Sequence, residues 1–456
     1  MSVIEGLLIF FAIVLIYFVL VIVLKNRGIL EKFNISLYGP ALLLRTTRGH
    51  GFLKKIASKS RFWKAFGSFG IVFCFIAMLI MVTIFIWQAW MFLGLDLTPE
   101  QKAGLPGPEF ALILPGINPI IPLEYLFYII LALFVAIIVH EFSHGILTIA
   151  GKIKVKSLGI LYLIVPIGAF CEPDEEELKK TETVKRMRVF AAGPLANFTV
   201  AFIVLLLFSF VFMSAVQPAD GAEILYIYED TPAEEIGLST GALITSINDT
   251  QVKDIEEFRS AIEKINPNHE VNISYLKNGD NIFTKVTLTS VYDYITPKNE
   301  SYKNTSFLGV GLNSYGGYLS ALKNPFTYDF PHGFLLLFAL PIFGYYTGYN
   351  PLAAPFTNNH EITGPLSILP SNVFWGIITA LYWIFWLNIM VGLFNVLPII
   401  PLDGGFLFND AVGSAVKKIK KDVSEETHKR IVKNISLVVS LTVLFLVLFP
   451  FFIKYI

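Results

Sequence analysis

The sequence predicts a polytopic α-helical membrane protein with about six transmembrane helices, one extracytoplasmic α+β domain and a small membrane-associated β region. Of its 456 residues, 54% are hydrophobic and 15% are charged, and the mean hydropathy is +0.63. This composition is far too apolar for an ordinary soluble enzyme. The formal net charge is zero, so bulk electrostatics indicate no nucleic-acid partner.

Six apolar runs are long enough to cross about 30 Å of hydrocarbon at about 1.5 Å per helical residue. They are 5–24, 68–94, 122–150, 189–215, 371–394 and 432–453. The first run carries Glu5 and lacks a basic flank and a cleavage site, so we expect a retained span rather than a signal peptide. The only cysteines, Cys74 and Cys171, are far apart and form no Cys-x-x-Cys pattern, so we expect no disulfide framework.

The basic residues predict the orientation of these spans. Segment 25–64 holds ten lysines and arginines against the single acid Glu31, which places it in the cytoplasm and the N-terminus outside. Region 216–330 is then extracytoplasmic, and the basic loop 417–433 is cytoplasmic. This order requires that the apolar segment 332–349, which Pro341 interrupts, does not cross the membrane, and we expect it to be interfacial or re-entrant on the outer side.

The extracytoplasmic region alternates short β-branched segments with one amphipathic helix, which predicts a small α+β domain at roughly 216–290. The predicted strands lie within 221–230, 241–249, 270–280 and 281–288, with a hairpin turn at Asn278-Gly279-Asp280 and a helix at 254–265.

The stretch TPAEEIGLSTGALITSINDTQV, residues 231–252, resembles the PDZ pattern. It departs from that pattern at Ala242, where the family usually has Asp, and residues 221–228 show no clear carboxylate-binding loop. The resemblance implies peptide binding by β-strand addition. A spacer or size filter that binds nothing tightly is the alternative.

Ionisable residues within span 122–150 are the strongest chemical signal. His140 and His144 are one helical turn apart, so their rings face the same side and can share a metal, with Glu141 beside a bound water. An ionisable residue in a membrane helix costs about 2.5 to 3.5 kcal/mol, which makes this H-E-x-x-H pattern unusual by chance. We therefore predict His140 and His144 as zinc ligands.

Zinc needs a third protein ligand and leaves a fourth position for water. Asp403 is the better candidate, because Pro398 and Pro401 in NVLPIIPLDGG break the end of a membrane helix at that depth. An ordinary helix-terminating loop is the alternative. The other histidines fall in predicted loops or external segments and are most simply surface or interfacial: His50, His269, His332, His360 and His428.

A third motif is AAGPLANF, residues 191–198, where Gly193 can loosen the entry of the helix. Asn197 can donate a hydrogen bond to a developing oxyanion, and interhelical packing is an equal alternative. His144, Asn197 and Asp403 lie eight, nine and fourteen residues from predicted cytoplasmic charges. All three are therefore at similar depths, roughly 12 to 20 Å from those charges.

HEFSHG, GPLAN and NVLPIIPLDGG, with the PDZ-like insert between the second and third, closely resemble the site-2 protease family of intramembrane zinc metalloproteases. The resemblance covers about 122–405. It implies one zinc ion per chain, held by His140, His144 and Asp403, with Glu141 as the general base. With neutral histidines, this set of charges sums to zero, which suits a site of low dielectric constant.

The same resemblance implies supporting polar roles for Asn197 and Asn395. ITGPLSI, residues 362–368, is similar to the family's approach to the Asp-bearing span, and segment 154–178 is similar to its membrane-dipping β region. The edge strand of that region is expected to pair with an unwound substrate, which we place at 157–170.

The implied function is proteolysis of a peptide bond within or beside the transmembrane segment of a single-span membrane protein, near the cytoplasmic side. Zinc lowers the pKa of a bound water towards about 7, and Glu141 takes its proton. A zinc-dependent hydrolase of a non-peptide substrate and a non-catalytic PDZ scaffold are the alternatives. The corresponding domains are 1–121, 122–215, 216–330, 331–410 and 411–456.

Overall fold

A computed structural model describes residues 3–453, apart from residues 34, 39–40, 47–48, 97, 112, 164, 296 and 421–423. The chain divides into two compact units. The first unit comprises Met1–Asn118, Pro122–Val204 and Trp383–Ile456, and the second comprises Pro119–Ile121 and Leu205–Tyr382.

The α-helices are α1 (Val3–Asn26), α2 (Ile29–Lys32), α3 (His50–Ala57), α4 (Ser60–Leu93), α5 (Pro99–Ala103), α6 (Leu126–Ala150), α7 (Glu175–Lys180), α8 (Thr183–Leu207), α9 (Pro232–Glu235), α10 (Ile255–Glu263), α11 (Gly316–Lys323), α12 (His332–Thr347), α13 (Ser371–Asn395), α14 (Asp403–Ile419) and α15 (Glu425–Ile453). The strands are β1 (Ile35–Tyr38), β2 (Ala41–Thr46), β3 (Val155–Leu163), β4 (Val165–Pro173), β5 (Val216–Pro218), β6 (Ala222–Ile227), β7 (Leu243–Ile247), β8 (Thr250–Gln251), β9 (Glu270–Lys277), β10 (Asp280–Thr287), β11 (Thr289–Ser290), β12 (Ser306–Phe307), β13 (Val310–Leu312) and β14 (His360–Ile362).

Within the described residues, five helices are long and apolar enough to cross a membrane. They are Ser60–Leu93, Leu123–Ala150, Thr183–Ala215, Ser371–Asn395 and Glu425–Ile453, and each overlaps one of the predicted spans. The remaining span, 5–24, lies in α1, where only part of the side chains is described, and it stays a prediction. Helix α12 has 16 residues and is therefore about 24 Å long, shorter than the roughly 30 Å of hydrocarbon. Its predicted non-crossing position also stays a prediction.

A four-stranded antiparallel sheet in the first unit has the order β1-β2-β3-β4. The hairpin β3-β4 confirms the predicted β region, whereas residues 35–46, expected to be part of a basic loop, form β1 and β2. Strand β3 pairs with both β2 and β4, so its backbone N–H and C=O groups are hydrogen-bonded to a strand on each side. The prediction of substrate pairing along 157–170 is therefore wrong for β3. Among the described residues of this hairpin, the free edge belongs to β4.

The sheet is held against α6 and α8 by a buried apolar cluster to which α3 contributes. Leu53 and Ala57 of α3 are one turn apart and buried, while Lys54 and Lys55 lie on its exposed side. Leu53 packs with Leu147 of α6 and with side chains of β3, β4 and α8 in the same cluster. Part of the predicted basic loop, helix α3, thus packs against α6, the helix that carries H-E-x-x-H.

A buried ion pair joins α8 to α14. Arg186 donates from Nε to Oδ2 of Asp410 at 2.7 Å and from Nη2 to Oδ1 at 2.6 Å. The Asp410 side chain is 7% exposed and that of Arg186 is 21% exposed. A bidentate pair of this kind fixes the relative position of two helices, because both its distances and its plane are constrained.

In the second unit, the main sheet has the order β10-β9-β7-β6-β13, with β8 paired to β7. Strands β6, β7, β9 and β10 and helix α10 confirm the predicted elements. Asn278 and Gly279 both have positive φ, 55° and 92°, as a two-residue hairpin turn requires. The sheet also includes β13, and Leu308 lies in its core, so the domain extends beyond the predicted end at 290.

A buried carboxylate ties distant segments of the second unit together. Glu223 of β6 accepts hydrogen bonds from the side-chain amides of Asn313 and Asn359. Burial raises the pKa of the Glu223 carboxyl, and the two amide donors oppose this rise. Asn359 also donates to the Gly241 carbonyl, so β6 is linked both to the residue after β13 and to the segment before β14.

We predict that Asp410→Ala destabilises the protein by about 3 kcal/mol, because Arg186 is left without its partner in a largely buried position. Thermal unfolding of the purified protein in detergent measures the loss. The matched control is Glu425→Ala, which breaks the exposed pair between Glu425 and Lys429 and should cost about 1 kcal/mol or less. Equal losses for the two variants would contradict a structural role specific to the Arg186–Asp410 pair.

Candidate metal centre

Helix α6 carries three of the predicted site residues. Its buried face includes Ala132, Ala136 and His140, which follow one another at one-turn intervals. His140 is buried and His144 half-buried, and their rings contact edge to face with centroids 4.7 Å apart. The packing of α6 therefore turns both imidazoles towards the interior of the first unit.

Asp403 reaches the same place because the chain reverses between α13 and α14. Helix α13 ends at Asn395, and Asp403 is the first residue of α14. A side chain at Gly404 would overlap the Val396 carbonyl, and one at Gly405 would lie 2.6 Å from the Ile399 carbonyl carbon. The two glycines after Asp403 thus allow α14 to start directly against the end of α13.

The structure brings the three predicted ligands together. Oδ2 of Asp403 lies 2.9 Å from Nε2 of His140 and 3.2 Å from Nε2 of His144. One ligand atom from each residue can be chosen so that all three lie within 4.8 Å of one another. In the described part of the chain, this is the one group of three or more His, Cys, Asp or Glu residues arranged to hold a metal ion.

Hydrogen bonds on the far side of each ring assign the tautomers. Nδ1 of His144 lies 2.7 Å from the Val189 carbonyl oxygen, and Nδ1 of His140 lies 2.7 Å from Oδ1 of Asn197. Both partners are acceptors, so each Nδ1 donates its hydrogen. In the neutral imidazoles, the Nε2 lone pairs therefore point to the interior of the cluster, as metal-ligating histidines require.

These assignments make the cluster a good fit for a cation. Two Nε2 lone pairs and a carboxylate oxygen converge, and the buried Oδ2 of Asp403 receives no hydrogen bond within the described residues. Acceptor atoms so close together repel one another unless a positive charge lies between them. Two nitrogen ligands and one carboxylate oxygen form a donor set that zinc commonly takes in catalytic sites.

Gly193 explains why helix α8 can pass so close to the two rings. A Cβ atom at this position would lie 2.6 Å from Nε2 of His140 and 2.6 Å from Nε2 of His144. Any other residue at 193 would thus press against the nitrogen atoms that face the candidate metal position. A glycine is required at position 193 because there is no room for a Cβ atom beside the two rings, not because the helix must be flexible there.

Asn197 is completely buried, and its amide is fully used. Its Oδ1 accepts from His140, while Nδ2 donates to the Ala136 carbonyl at 2.9 Å and to Oδ1 of Asn388 at 3.0 Å. In this arrangement both side-chain N–H groups are engaged, so neither is available to an oxyanion. The geometry favours a packing and positioning role for Asn197 over the oxyanion role.

Asn388 is a site residue that the sequence analysis missed. It is completely buried in α13 and donates from Nδ2 to the Ile384 carbonyl of its own helix at 2.8 Å. The available signal was an amide deep within the apolar span 371–394, sixteen residues after Asn372 at the start of that span. Asn395, which the sequence analysis selected, is half-buried at the last residue of the same helix, and its role stays a prediction.

Glu141, which follows His140 in α6, contacts the β-hairpin. Its Oε2 accepts a hydrogen bond from the backbone N–H of Cys171 in β4 at 3.0 Å. Cys171 is paired with Leu158 of β3, and its N–H points away from that strand. The free edge of β4 therefore faces the Glu141 carboxylate.

Two histidines with a carboxylate at metal-binding distance, next to a half-buried glutamate on the same helix, define a metal-dependent hydrolase centre. The profile of Peptidase family M50 matches residues 128–443. The chain belongs to this family, which confirms the resemblance to site-2 proteases. It is a metalloprotease and a multi-pass membrane protein.

Several relatives agree with this assignment. Zinc metalloprotease RasP of Shouchella clausii is 32% identical over 232 residues, which cover 49% of this chain and 49% of RasP. Regulator of sigma-W protease RasP of Bacillus subtilis is 26% identical over 246 residues, which cover 52% of this chain and 53% of that protein. The chain thus spans about half the length of these two relatives. An uncharacterized protein of Methanocaldococcus jannaschii is 27% identical over 386 residues, 84% of this chain and 80% of that protein.

Among solved structures, the PDZ domain of an SdrC-like protein from Listeria monocytogenes is 26% identical in sequence. The match covers 20% of this chain and 87% of that domain, with a TM-score of 0.18. This TM-score is too low to establish a shared fold.

We predict that Gly193→Ala abolishes stoichiometric zinc binding, because the added methyl group would occupy the space beside both Nε2 atoms. Metal analysis of the purified protein after chelator competition measures the effect. The matched control is Gly51→Ala, also in a helix, where a Cβ atom meets nothing within 4 Å. Wild-type zinc content in a well-folded Gly193→Ala protein would show that the metal does not bind between these rings.

We predict that Asn197→Ala weakens zinc affinity by about 10- to 100-fold, because His140 loses the partner that fixes its ring. Zinc affinity is measured by competition with a chromophoric chelator. Thr199→Ala is the control, since within the described residues the Thr199 hydroxyl bonds only to the Leu195 carbonyl of its own helix. If Asn197 served the oxyanion instead, zinc affinity would stay unchanged and kcat would fall by about 100- to 1,000-fold.

Proposed function

We propose that this metalloprotease is an intramembrane endopeptidase that hydrolyses a peptide bond within or beside the transmembrane segment of a single-span membrane protein. The observation that carries the proposal is the His140–His144–Asp403 cluster, because two of its members lie on α6, a helix suited to crossing a membrane. A soluble substrate would have no reason to meet a site placed in such a helix.

His140 and His144 would hold one zinc ion through Nε2, and Asp403 would hold it through its carboxylate. When bound, zinc supplies Lewis acidity for the hydrolysis of an amide. Asn197 and the Val189 carbonyl keep the two imidazoles in the tautomer that this binding needs.

Glu141 is the proposed general base. It takes a proton from the attacking water and then delivers it to the nitrogen of the leaving amine, so that it ends the reaction ionised again. The Cys171 N–H fixes one carboxylate oxygen at 3.0 Å, which holds the side chain in place during both transfers.

The free edge of β4 is proposed to bind the substrate and to hold it next to the catalytic site. A peptide bond in a helix is hydrogen-bonded and sterically shielded, so the substrate must unwind before it is attacked. Pairing with β4 satisfies the backbone groups of the unwound segment by strand addition. Support comes from the contact between Cys171 and Glu141, which brings this edge next to the base.

The second unit is proposed to lie outside the cytoplasm, together with the N-terminus, as the basic residues predict. It would then admit substrates that have already been shortened on the outside, either by binding their new ends or by excluding longer ones. The description of the Bacillus subtilis relative as a regulator of sigma-W protease is the reason to extend the proposal to regulated intramembrane proteolysis.

The test is co-expression of a single-span substrate lacking its external domain with the wild type and with Glu141→Gln. The wild type should cleave it and Glu141→Gln should not, although both bind zinc, because Gln cannot accept the proton of the attacking water. Cleavage is followed by the size of the tagged substrate fragment, and zinc is measured on the purified proteins.

Glu124→Gln is the matched control, since the same substitution lies just before α6 at an exposed position and should leave cleavage unchanged. If Glu141→Gln also cleaves the substrate, Glu141 is not the base. If the zinc-loaded wild type leaves several such substrates intact, the proposed intramembrane cleavage is contradicted.

A further inference from the structure

A second polar feature of the first unit lies apart from the metal centre. An open cavity of about 610 Å³ is formed by the start of α8 and the turn before it, the second half of α14 and the first turns of α15. Five basic and three acidic side chains line it, so its lining carries a formal excess of two positive charges. The proposed proteolysis uses none of these groups.

Several charged side chains that line the cavity form ion pairs with one another, and the remaining lysines are the ones that can bind an anion. Arg186 is held by Asp410, and Lys429 lies 2.9 Å from Glu425. Within the described residues, Lys417 and Lys433 have no ion-pair partner. They line the cavity from different helices, α14 and α15. The Glu425 carboxylate, which is paired with Lys429, also interacts electrostatically with Lys417, and the lining as a whole keeps its excess of positive charge.

The side-chain amide of an asparagine also lines the cavity. Asn409 of α14 lines the cavity, and its Oδ1 accepts a hydrogen bond from Ser436 at 3.0 Å. This bond orients the amide, which leaves the Nδ2 hydrogens as donors without a partner in the described part of the chain. Two cations and an oriented N–H donor form a set suited to the oxygen atoms of an anion.

The position of the cavity relative to the apolar segments narrows the ligand class. The candidate spans Thr183–Ala215 and Glu425–Ile453 both begin at the cavity. The last charged residues before their apolar parts are Arg188 and Lys433. With both helices crossing the membrane as the sequence predicts, the cavity lies where a span meets the polar boundary, at the level of lipid head groups. Basic pockets between helices at this level bind lipid phosphates.

We propose that this cavity binds a phosphate-bearing anion through Lys417, Lys433 and Asn409. The same chemistry is offered by the head group of an anionic phospholipid and by a soluble phosphate compound, and the two sources differ in whether acyl chains contribute. The site shares no residue with the His140–His144–Asp403 cluster, and its occupancy can be measured without any proteolytic assay.

The test uses the purified full-length protein in neutral detergent. It is titrated with short-chain phosphatidylglycerol, with phosphatidylcholine of the same chain length and with inorganic pyrophosphate. Wild type should bind phosphatidylglycerol, pyrophosphate or both at least tenfold more tightly than phosphatidylcholine. Binding of phosphatidylglycerol without pyrophosphate identifies a lipid site, and binding of pyrophosphate identifies a site for soluble phosphates.

The decisive variant is Lys417→Gln/Lys433→Gln, which should weaken binding of the favoured anion by at least tenfold. Lys54→Gln/Lys55→Gln is the matched control, because it removes the same charge from exposed positions of α3 in the same unit. The proposal is overturned if the cavity variant binds as wild type does. It is equally overturned if both variants weaken binding to the same extent, or if wild type prefers neither anion.

Discussion

The first unit depends on one constraint, which is that two imidazole lone pairs and a carboxylate converge in a protected space. His140 and His144 come from α6, and Asp403 comes from the start of α14, more than 250 residues later. Such a set is unfavourable without a cation, because each acceptor has lost water and faces another acceptor. The surrounding elements can be understood as the means of holding these three groups together until a metal ion binds.

Two neighbouring helices, α8 and α13, help to hold the three groups in position. Helix α8 supplies the space at Gly193 and the acceptor at Asn197, and α13 supplies Asn388 to orient that amide. Farther along, the pair between Arg186 and Asp410 connects α8 to α14, two helical turns from Asp403. A salt bridge outside the metal cluster thus helps to position Asp403, the third candidate ligand. The amides of Asn197 and Asn388, bonded in series, fix the tautomer of His140.

The three candidate ligands were predictable from short sequence motifs, whereas the hydrogen-bond partners that other elements supply to them were not. His140 and His144 are related by one helical turn, so their pattern could be recognised without knowledge of the fold. The role of Asn197 depends on which of its amide atoms faces His140, and only the positions of Ala136 and Asn388 decide that. Strands β1 and β2 were not predicted, because basic flanking residues made segment 25–64 resemble a simple loop. Strand β1 pairs with β2, and β3, which joins this hairpin to the rest of the sheet through β2, is over 100 residues away.

The contact between Glu141 and Cys171 also restricts how an unwound substrate can approach. Backbone groups along an antiparallel strand point alternately to either side, so Ala169 faces the same edge of β4 as Cys171. The Cys171 N–H is already bound to Glu141, so an added strand would next meet an outward N–H at Ala169, which has no hydrogen-bond partner on that edge within the described residues and lies one pleat farther from the proposed base. The same hydrogen bond that holds the base therefore sets the register in which the proposed substrate strand meets it.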